Sequence, residues 1–329
     1  MMTQLRAGLV GVGMMGRHHA RILRDLEGVD LVAVVDPAGD RHGVAGDCPI
    51  LPDVDDLIRH GIDLAIVAVP TRYHEDAALK LAAAGVHTMV EKPISHSVEA
   101  GVGMAKAFDA AGIVGAVGHI ERYNASLQEM RRRIAEGQLG EIFQITTRRQ
   151  GPFPGRIVDV GVGRDLASHD IDSTSWVAHS PYVSVGARVA YRTGNTHEDM
   201  LLITGTLGNG VIVNHVVNWL SPMKERVTIV AGDRGMFVAD TLTADLLYYS
   251  NGTVPTQWDT VSAFRGVSEG DVIRYAFPKR EPLRVELEAF RDAVLGRSTT
   301  VVTMAEGVRT LRVVEAALES ANSERFVSC

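Results

Sequence analysis

Residues 8–19 read GLVGVGMMGRHH, and the spacing of the glycines decides the fold. Gly11, Gly13 and Gly16 make a G-x-G-x-x-G pattern that follows a short apolar run and opens a helical one. Gly11 permits a tight turn, Gly13 lets a pyrophosphate approach the backbone, and Gly16 lets helix and strand pack closely. The helix starts at Met14 and Met15, where unpaired N–H groups and a partial positive charge face the phosphates. Such a pattern is weak in isolation. Here an acid stands where the second strand ends: Asp36, in VVDP, 20 residues after Gly16. Its carboxylate suits the hydroxyls of an adenine ribose and repels a 2′-phosphate, so NAD is expected and NADP disfavoured. Arg41 argues the other way, and the competing reading is a glycine-rich turn followed by an unrelated acid.

Working outward, the first 120 residues alternate between two kinds of segment. RAGLVGVG, DLVAVVDP, DLAIVAVP, HTMVEKPI and GIVGAVGHI are short runs rich in Val, Ile and Ala with little in/out alternation. Strands buried on both faces look like this. Helical patterns lie between several of them, and Gly85 and Gly112 sit where left-handed caps are expected. The fold class is α/β: a doubly wound parallel sheet of the Rossmann kind over residues 1–121. From about residue 140 the strands alternate more and are joined by Gly/Asn/Asp turns, which predicts a second α/β domain, 122–329, with an open, mostly antiparallel sheet. Helices are expected at 163–179, 282–296 and 304–321, the C-terminal ones packing back on the first domain. The stretch 250–282 reads as a long loop.

Composition narrows the function. The 329 residues carry 33 Lys and Arg against 40 Asp and Glu, a formal charge of −7, which argues against a nucleic-acid binder. The cluster Arg131-Arg132-Arg133 reads as a solvated helix face. Two cysteines, Cys48 and Cys329, build neither a disulfide framework nor a zinc site. No signal-peptide layout opens the chain and no apolar stretch approaches the roughly 20 residues that span a bilayer, so a cytoplasmic protein with no membrane partner is expected.

The chemistry is suggested by two further stretches. Residues 88–97, TMVEKPISHS, end an apolar strand in two opposite charges and a proline. Ligands of doubly wound sheets bind beyond the carboxyl ends of the strands, which brings Lys92 to the nicotinamide half of a dinucleotide. An ammonium there stabilises an alkoxide as hydride leaves its carbon, with Glu91 balancing the charge. The competing reading is a surface ion pair. Asp165, His169 and Asp172 fall at i, i+4 and i+7 and share one face of an α-helix. A histidine suits reversible proton transfer near neutral pH, and Asp165 one turn earlier would orient it. A metal site and a solvated helix face are the rivals. Arg17, His18 and His19 are expected to pack or to assist on the phosphate side.

Taken together, GxGxxG, VVDP, VPTRYH, EKPI and DLASHDID resemble the Gfo/Idh/MocA oxidoreductases over nearly the whole chain. The resemblance implies a Rossmann domain followed by a substrate and oligomerisation domain, whose open sheet forms the contact in a homodimer or homotetramer. It implies that Lys92 contacts substrate and nicotinamide, that the bond before Pro93 is cis, and that Thr71 and His74 line the cofactor site, against helix capping for Thr71 and a packed imidazole for His74. It places the family's Asp/His pair on Asp165 and His169, gives Asp172 a structural role, and involves no metal. VGHIERYNAS, VNWLSPMKERVTIVAGDRGMFVAD and PKREPLRVELEAF are similar to the branch of UDP-sugar 3-dehydrogenases, with Ala125 where that branch usually has proline. Arg122, Lys224 and Arg226 are then candidate cations for a diphosphate. Tyr123 and Asn124 are candidates for sugar hydroxyls and Trp219 for stacking on a ring, against ordinary packing or solvated roles for each. The expected activity is NAD-dependent oxidation of a secondary alcohol on a sugar, C3 of a UDP-N-acetylhexosamine. The alternatives are an inositol or free-sugar dehydrogenase, an NAD-dependent glycoside-cleaving enzyme, and a non-catalytic nucleotide sensor.

Overall fold

The structure, a computed structural model, describes residues 4–40, 43–154, 160–194, 196–252, 254–255 and 268–329. The chain forms two compact units, one of residues 1–120 with 281–312, the other of residues 121–280 with 313–329.

The first unit is built on six strands: β1 (Leu5–Val10), β2 (Val29–Val35), β3 (Ile50–Leu51), β4 (Leu64–Val67), β5 (His87–Glu91) and β6 (Gly115–Gly118). They lie in the order β3-β2-β1-β4-β5-β6, and every pair is parallel. All four residues of β4 are buried, as expected of a strand covered on both faces. The connecting helices are α1 (Met14–Arg24), α2 (Val54–His60), α3 (His74–Ala83) and α4 (Val98–Ala111). The ends of α4 are set locally: Ser97 accepts from the Ala100 N–H, and Gly112 closes the helix at φ 64°. A later helix, Pro282–Val294, inserts Leu283, Leu287 and Phe290 into the same core as Leu9, Ile22 and Leu23. Strand order reverses between β1 and β4, so the turns that follow these two strands flank the place where such sheets bind ligands.

The second unit begins with α5 (Ala125–Ala135) and β7 (Ile142–Pro152) and continues with α6 (Ser168–Val177). Next come β8 (Tyr182–Ala190), β9 (Met200–Leu207), β10 (Ile212–Asn218), β11 (Leu220–Gly232), β12 (Gly235–Asp240) and β13 (Asp245–Ser250). Short strands follow at β14 (Val254–Pro255), β15 (Ser268–Glu269), β16 (Val272–Arg274) and β17 (Val327–Ser328). Nine of them form one sheet, β16-β13-β12-β11-β7-β10-β9-β8-β17, in which only β7 and β10 run parallel. One face covers a core of Ile145, Leu201, Val213, Val217, Val230 and Phe237 with Ile171 and Val177 of α6. The other leaves Phe143, Leu202 and Ile212 exposed.

The expected loop at 250–282 holds β14, β15 and β16, while residues 253 and 256–267 lie outside the described residues. The helix expected at 163–179 does not start as an α-helix: Gly163–Ala167 form a π-helical turn that leads into α6. No helix among the described residues is long and apolar enough to cross a membrane.

Candidate active site

In the first unit the glycine turn is shaped by backbone contact on one side and room on the other. Gly11 has φ 95°, and a Cβ there would meet the Ala68 carbonyl oxygen at 2.7 Å. A Cβ on Gly16 would fall 2.0 Å from the Gly11 carbonyl oxygen, so the first turn of α1 lies directly on the glycine turn. A Cβ on Gly13 would meet nothing within 4 Å. The space next to Gly13 is therefore taken by none of the described residues. α1 begins there with no capping side chain and no acid in its first turn, and Met14 and Met15 are exposed. Asp36 closes the arrangement, its Oδ2 accepting from the Val12 N–H at 3.1 Å and its Oδ1 from the Ala38 N–H at 2.9 Å. These residues fit an adenine dinucleotide: bare helix N–H groups and open space for the phosphates, a fixed carboxylate for the ribose. Arg41 lies outside the described residues.

Beyond the turn, β5 carries the charged tip. From Thr88 to Ser95 every residue is buried except Lys92, which is half-buried. Glu91 Oε1 lies 2.7 Å from His19 Nε2, and its Oε2 accepts from the Lys92 backbone N–H at 3.2 Å. Burial pushes the Glu91 carboxyl up, but the bond to His19 and the charges of His19 and Lys92 outweigh it, leaving the group below its ordinary range and ionised. The competing reading of a surface ion pair therefore fails for Glu91, which is an interior anchor. The Lys92–Pro93 peptide is cis.

Thr71 opens a single 3₁₀ turn, Thr71–Tyr73, and is half-buried. His74, expected to line the cofactor site, is buried instead as a clasp between strand ends. Its Nε2 lies 2.9 Å from the Val69 carbonyl oxygen and its Nδ1 3.0 Å from that of Pro93. Burial pulls its pKa below the ordinary value, against the opposing pull of those carbonyls and of Glu91.

In the second unit, His169 is the only residue from Leu166 to Thr174 that is not buried. Its neighbours on α6 face inward to arginines. Asp170 Oδ1 accepts from Arg149 Nε at 2.6 Å, and Arg149 also donates to Glu121 Oε1 at 2.8 Å. Asp172 takes a two-pronged bond from Arg122, at 2.8 and 2.7 Å. The expectation that Asp165, His169 and Asp172 share one α-helical face is corrected here. Asp165 sits in the π turn, whose wider winding breaks the α spacing, and Asp172 points into the interior while Asp165 and His169 stay half-buried.

A buried chain extends from Asp170. Thr147 donates its one hydroxyl proton to Asp170 Oδ2 at 3.0 Å, so it must accept from His215 Nδ1 at 2.7 Å. His215 Nε2 then accepts from the Tyr182 hydroxyl at 2.8 Å. The imidazole is neutral, its pKa lowered to about 4 by burial. Arg149 is disfavoured by burial as a cation, yet Asp170 and Glu121 raise its pKa and keep it charged.

Several residues considered for substrate contact are committed internally. Arg122 is held by Asp172, Asn124 caps α5 and donates to the Thr241 carbonyl at 2.9 Å, Tyr123 is buried, and Trp219 packs edge-on against Phe153 at 5.5 Å. Lys224 is exposed. Arg226 is half-buried and stands directly opposite Arg149 in the β7–β11 register. Among the described residues its guanidinium has one hydrogen bond, to the Glu225 carbonyl at 3.4 Å. Burial and the Arg149 charge lower its pKa, while Asp170, Glu121 and Asp165 oppose them. Arg149, Asp170, Thr147, His215 and Tyr182 were not legible as site-supporting residues, whereas His19 was expected to pack or to assist on the phosphate side. The one available hint was the His18-His19 pair, of which helical periodicity buries one. No group of three or more His, Cys, Asp or Glu placed to hold a metal occurs among the described residues.

A six-stranded parallel sheet with a glycine turn at its switch point, an acid ending the second strand and a lysine ending the fifth defines an NAD-binding oxidoreductase. Comparison with known proteins agrees: residues 5–119 match the oxidoreductase family with an NAD-binding Rossmann fold, and residues 127–238 match the GFO/IDH/MocA C-terminal domain. The chain is 31% identical over 326 residues to UDP-N-acetylglucosamine 3-dehydrogenase of Acidithiobacillus ferrooxidans, covering 97% of this chain and 96% of that one. It is 25% identical over 334 residues to scyllo-inositol 2-dehydrogenase (NAD(+)) of Bacillus subtilis, covering 96% and 94%. The solved structure of the Acidithiobacillus ferrooxidans enzyme GnnA superimposes with a TM-score of 0.86 at 25% identity, over 97% of this chain and 98% of that one. The chain belongs to the GFO/IDH/MocA oxidoreductase family.

Proposed function

We propose that the protein oxidises a secondary alcohol of a sugar, at C3 of a UDP-N-acetylhexosamine. The reading is carried by one observation: Lys92 and His169 are each the single half-buried residue within an otherwise buried stretch. Side chains held that way on rigid elements are presented to something outside the core. Bound NAD supplies the hydride acceptor, held by the glycine turn and Asp36. Lys92 donates hydrogen bonds to the substrate oxygen and steadies the negative charge that develops there. His169 takes the hydroxyl proton, with Asp165 raising its basicity. Arg226 and Lys224 meet the diphosphate; among the described residues no carboxylate is hydrogen-bonded to Arg226, which suits a cation reserved for a ligand. A cytoplasmic homo-oligomer joined through the sheet face that bears Phe143, Leu202 and Ile212 completes the reading. Ile212→Lys should reduce its sedimentation coefficient, and an unchanged value would count against that contact.

A second reading, oxidation of an inositol, is favoured by the full-length similarity to the Bacillus subtilis enzyme. The deciding experiment is NADH release against a panel of UDP-sugars, free sugars and inositols, with Lys92→Ala and His169→Gln as controls. UDP-sugars should turn over, both variants should lose at least about a hundred-fold in kcat, and NAD affinity should persist. Turnover of inositols alone supports the second reading. A normal rate for Lys92→Ala removes the lysine from the chemistry.

A further inference from the structure

We propose that Arg149 and Arg122 are positioning residues that fix the rotation of α6 and hence the direction in which His169 is presented. The inference rests on the proposed role of His169 as the base. α6 is buried almost all round, and most of what it buries is polar: Ile171 and Val177 enter the core and Trp176 packs against its edge, while Ser168, Asp170, Asp172, Ser173 and Thr174 are buried beside them. Apolar burial has no direction, so such a helix can roll at little cost. Directional bonds must hold it. Successive α-helical residues are about 100° apart, so Asp170 lies about 100° to one side of His169 and Asp172 about 60° to the other. The histidine sits on the arc between two tethered carboxylates.

The tethers close a ring. Asp170 binds Arg149 on β7, and Arg149 binds Glu121. Asp172 binds Arg122, the next residue after Glu121. Adjacent residues of one short turn, Ile120–Tyr123, thus reach the two acids of α6 by separate routes, one direct and one through β7. The hydrogen bond from Thr147, itself fixed by His215 and Tyr182, holds the second oxygen of Asp170. Buried ion pairs of this kind are often no better for stability than well-packed apolar pairs of the same volume. What the two-pronged bond does add is angular precision. Asp170 and Asp172 therefore serve orientation, and they act through His169 rather than on substrate.

The test is the paired variant Arg122→Met/Asp172→Leu, which removes both charges together and leaves neither buried alone. It is expected to melt close to the wild-type temperature and to bind NAD normally. Its kcat for NADH release from UDP-N-acetylglucosamine should fall about ten- to a hundred-fold, the loss that a misplaced catalytic group causes. The same pair added to His169→Gln should cause no further loss. In ¹³C-histidine-labelled protein, the His169 resonance, assigned through His169→Gln, should shift and change its titration, while that of His19 stays put; this reading needs no turnover. A folded paired variant with an unmoved His169 resonance overturns the proposal even if His169→Gln is slow. An equal rate loss with and without His169 overturns it as well. Wild-type turnover by His169→Gln overturns the base assignment and the inference with it. If the paired variant does not fold, Arg122→Lys, which keeps the charge and loses the fork, carries the test: its His169 resonance must move, and an unmoved one overturns the proposal.

Discussion

His19 Nε2 lies 2.7 Å from Glu91 Oε1, so the helix after the glycine turn and the strand that ends at Lys92 are joined by one buried hydrogen bond. Removing His19 takes from the buried Glu91 carboxylate one of its two hydrogen bonds, and His19→Leu should cost about 1–3 kcal/mol at pH 7. The pH dependence has a definite sign. Glu91 titrates below its ordinary value in the fold, so its contribution is present above the usual glutamate range and is lost as pH falls through the folded value. Urea unfolding from pH 7 to 3 should show a shallower acid decline for Glu91→Gln than for the wild type. Parallel declines would remove Glu91 from the linkage.

His215 makes a second pH prediction. Its pKa falls from 6.5 to about 4 on folding because it is buried, held neutral between Thr147 and Tyr182 with Asp170 as the nearest charge. Its contribution is whole above pH 6.5 and disappears as pH drops toward 4, roughly 3 kcal/mol across that interval. His215→Gln should start from lower stability at pH 7 and lack that part of the slope. A slope identical to the wild type would show that His215 does not cause it.

The glycines separate binding from folding. Gly16→Ala drives a Cβ into the Gly11 carbonyl and should lower the melting temperature by several degrees. Gly13→Ala meets none of the described residues and has an ordinary φ of −71°, so it should melt like the wild type yet bind NAD at least about ten-fold more weakly. Calorimetry and NAD titration read both. Undiminished NAD affinity in Gly13→Ala would mean the phosphates lie elsewhere.

Asp36 accepts from the Val12 and Ala38 N–H groups, one at each carboxylate oxygen, and each oxygen keeps a further lone pair. Asp36→Asn should weaken NAD by about ten- to a hundred-fold, the worth of charged hydrogen bonds, and should narrow its advantage over NADP. An unaltered ratio of the two dissociation constants would remove Asp36 from ribose recognition.

Much of the first unit was legible because its signals are local. The unbroken Val/Ile/Ala runs, short and bounded by turn signals, suit two-sided strands, and the glycine spacing with an acid after the next strand is a contact pattern written within about 30 residues. The short Ile50–Leu51 strand and the Val54–His60 helix were not, since neither is long enough to show a period. In the second unit the strands could be read, but not the parallel pairing of β7 with β10, which no alternation pattern encodes. The partners of Asp170 and Asp172 were hidden for a similar reason. Arg149 and Arg122 lie 21 and 50 residues away, and an arginine in a strand looks the same whether it faces solvent, a phosphate or an aspartate. The π turn left no mark at all, so spacing arithmetic carried the α-helical face back to Asp165, where the winding is wider.

The helix Pro282–Val294 brings Leu287 and Phe290, each 1% exposed, into the core beneath α1. A nascent chain on the ribosome holds the whole glycine turn and all six parallel strands long before these residues emerge. Until they do, the nucleotide-binding half presents a bare apolar seam, the kind of surface that chaperones hold and that drives aggregation. Cutting the gene after the sixth strand would yield a protein that keeps the glycine turn and Asp36 but leaves that seam uncovered.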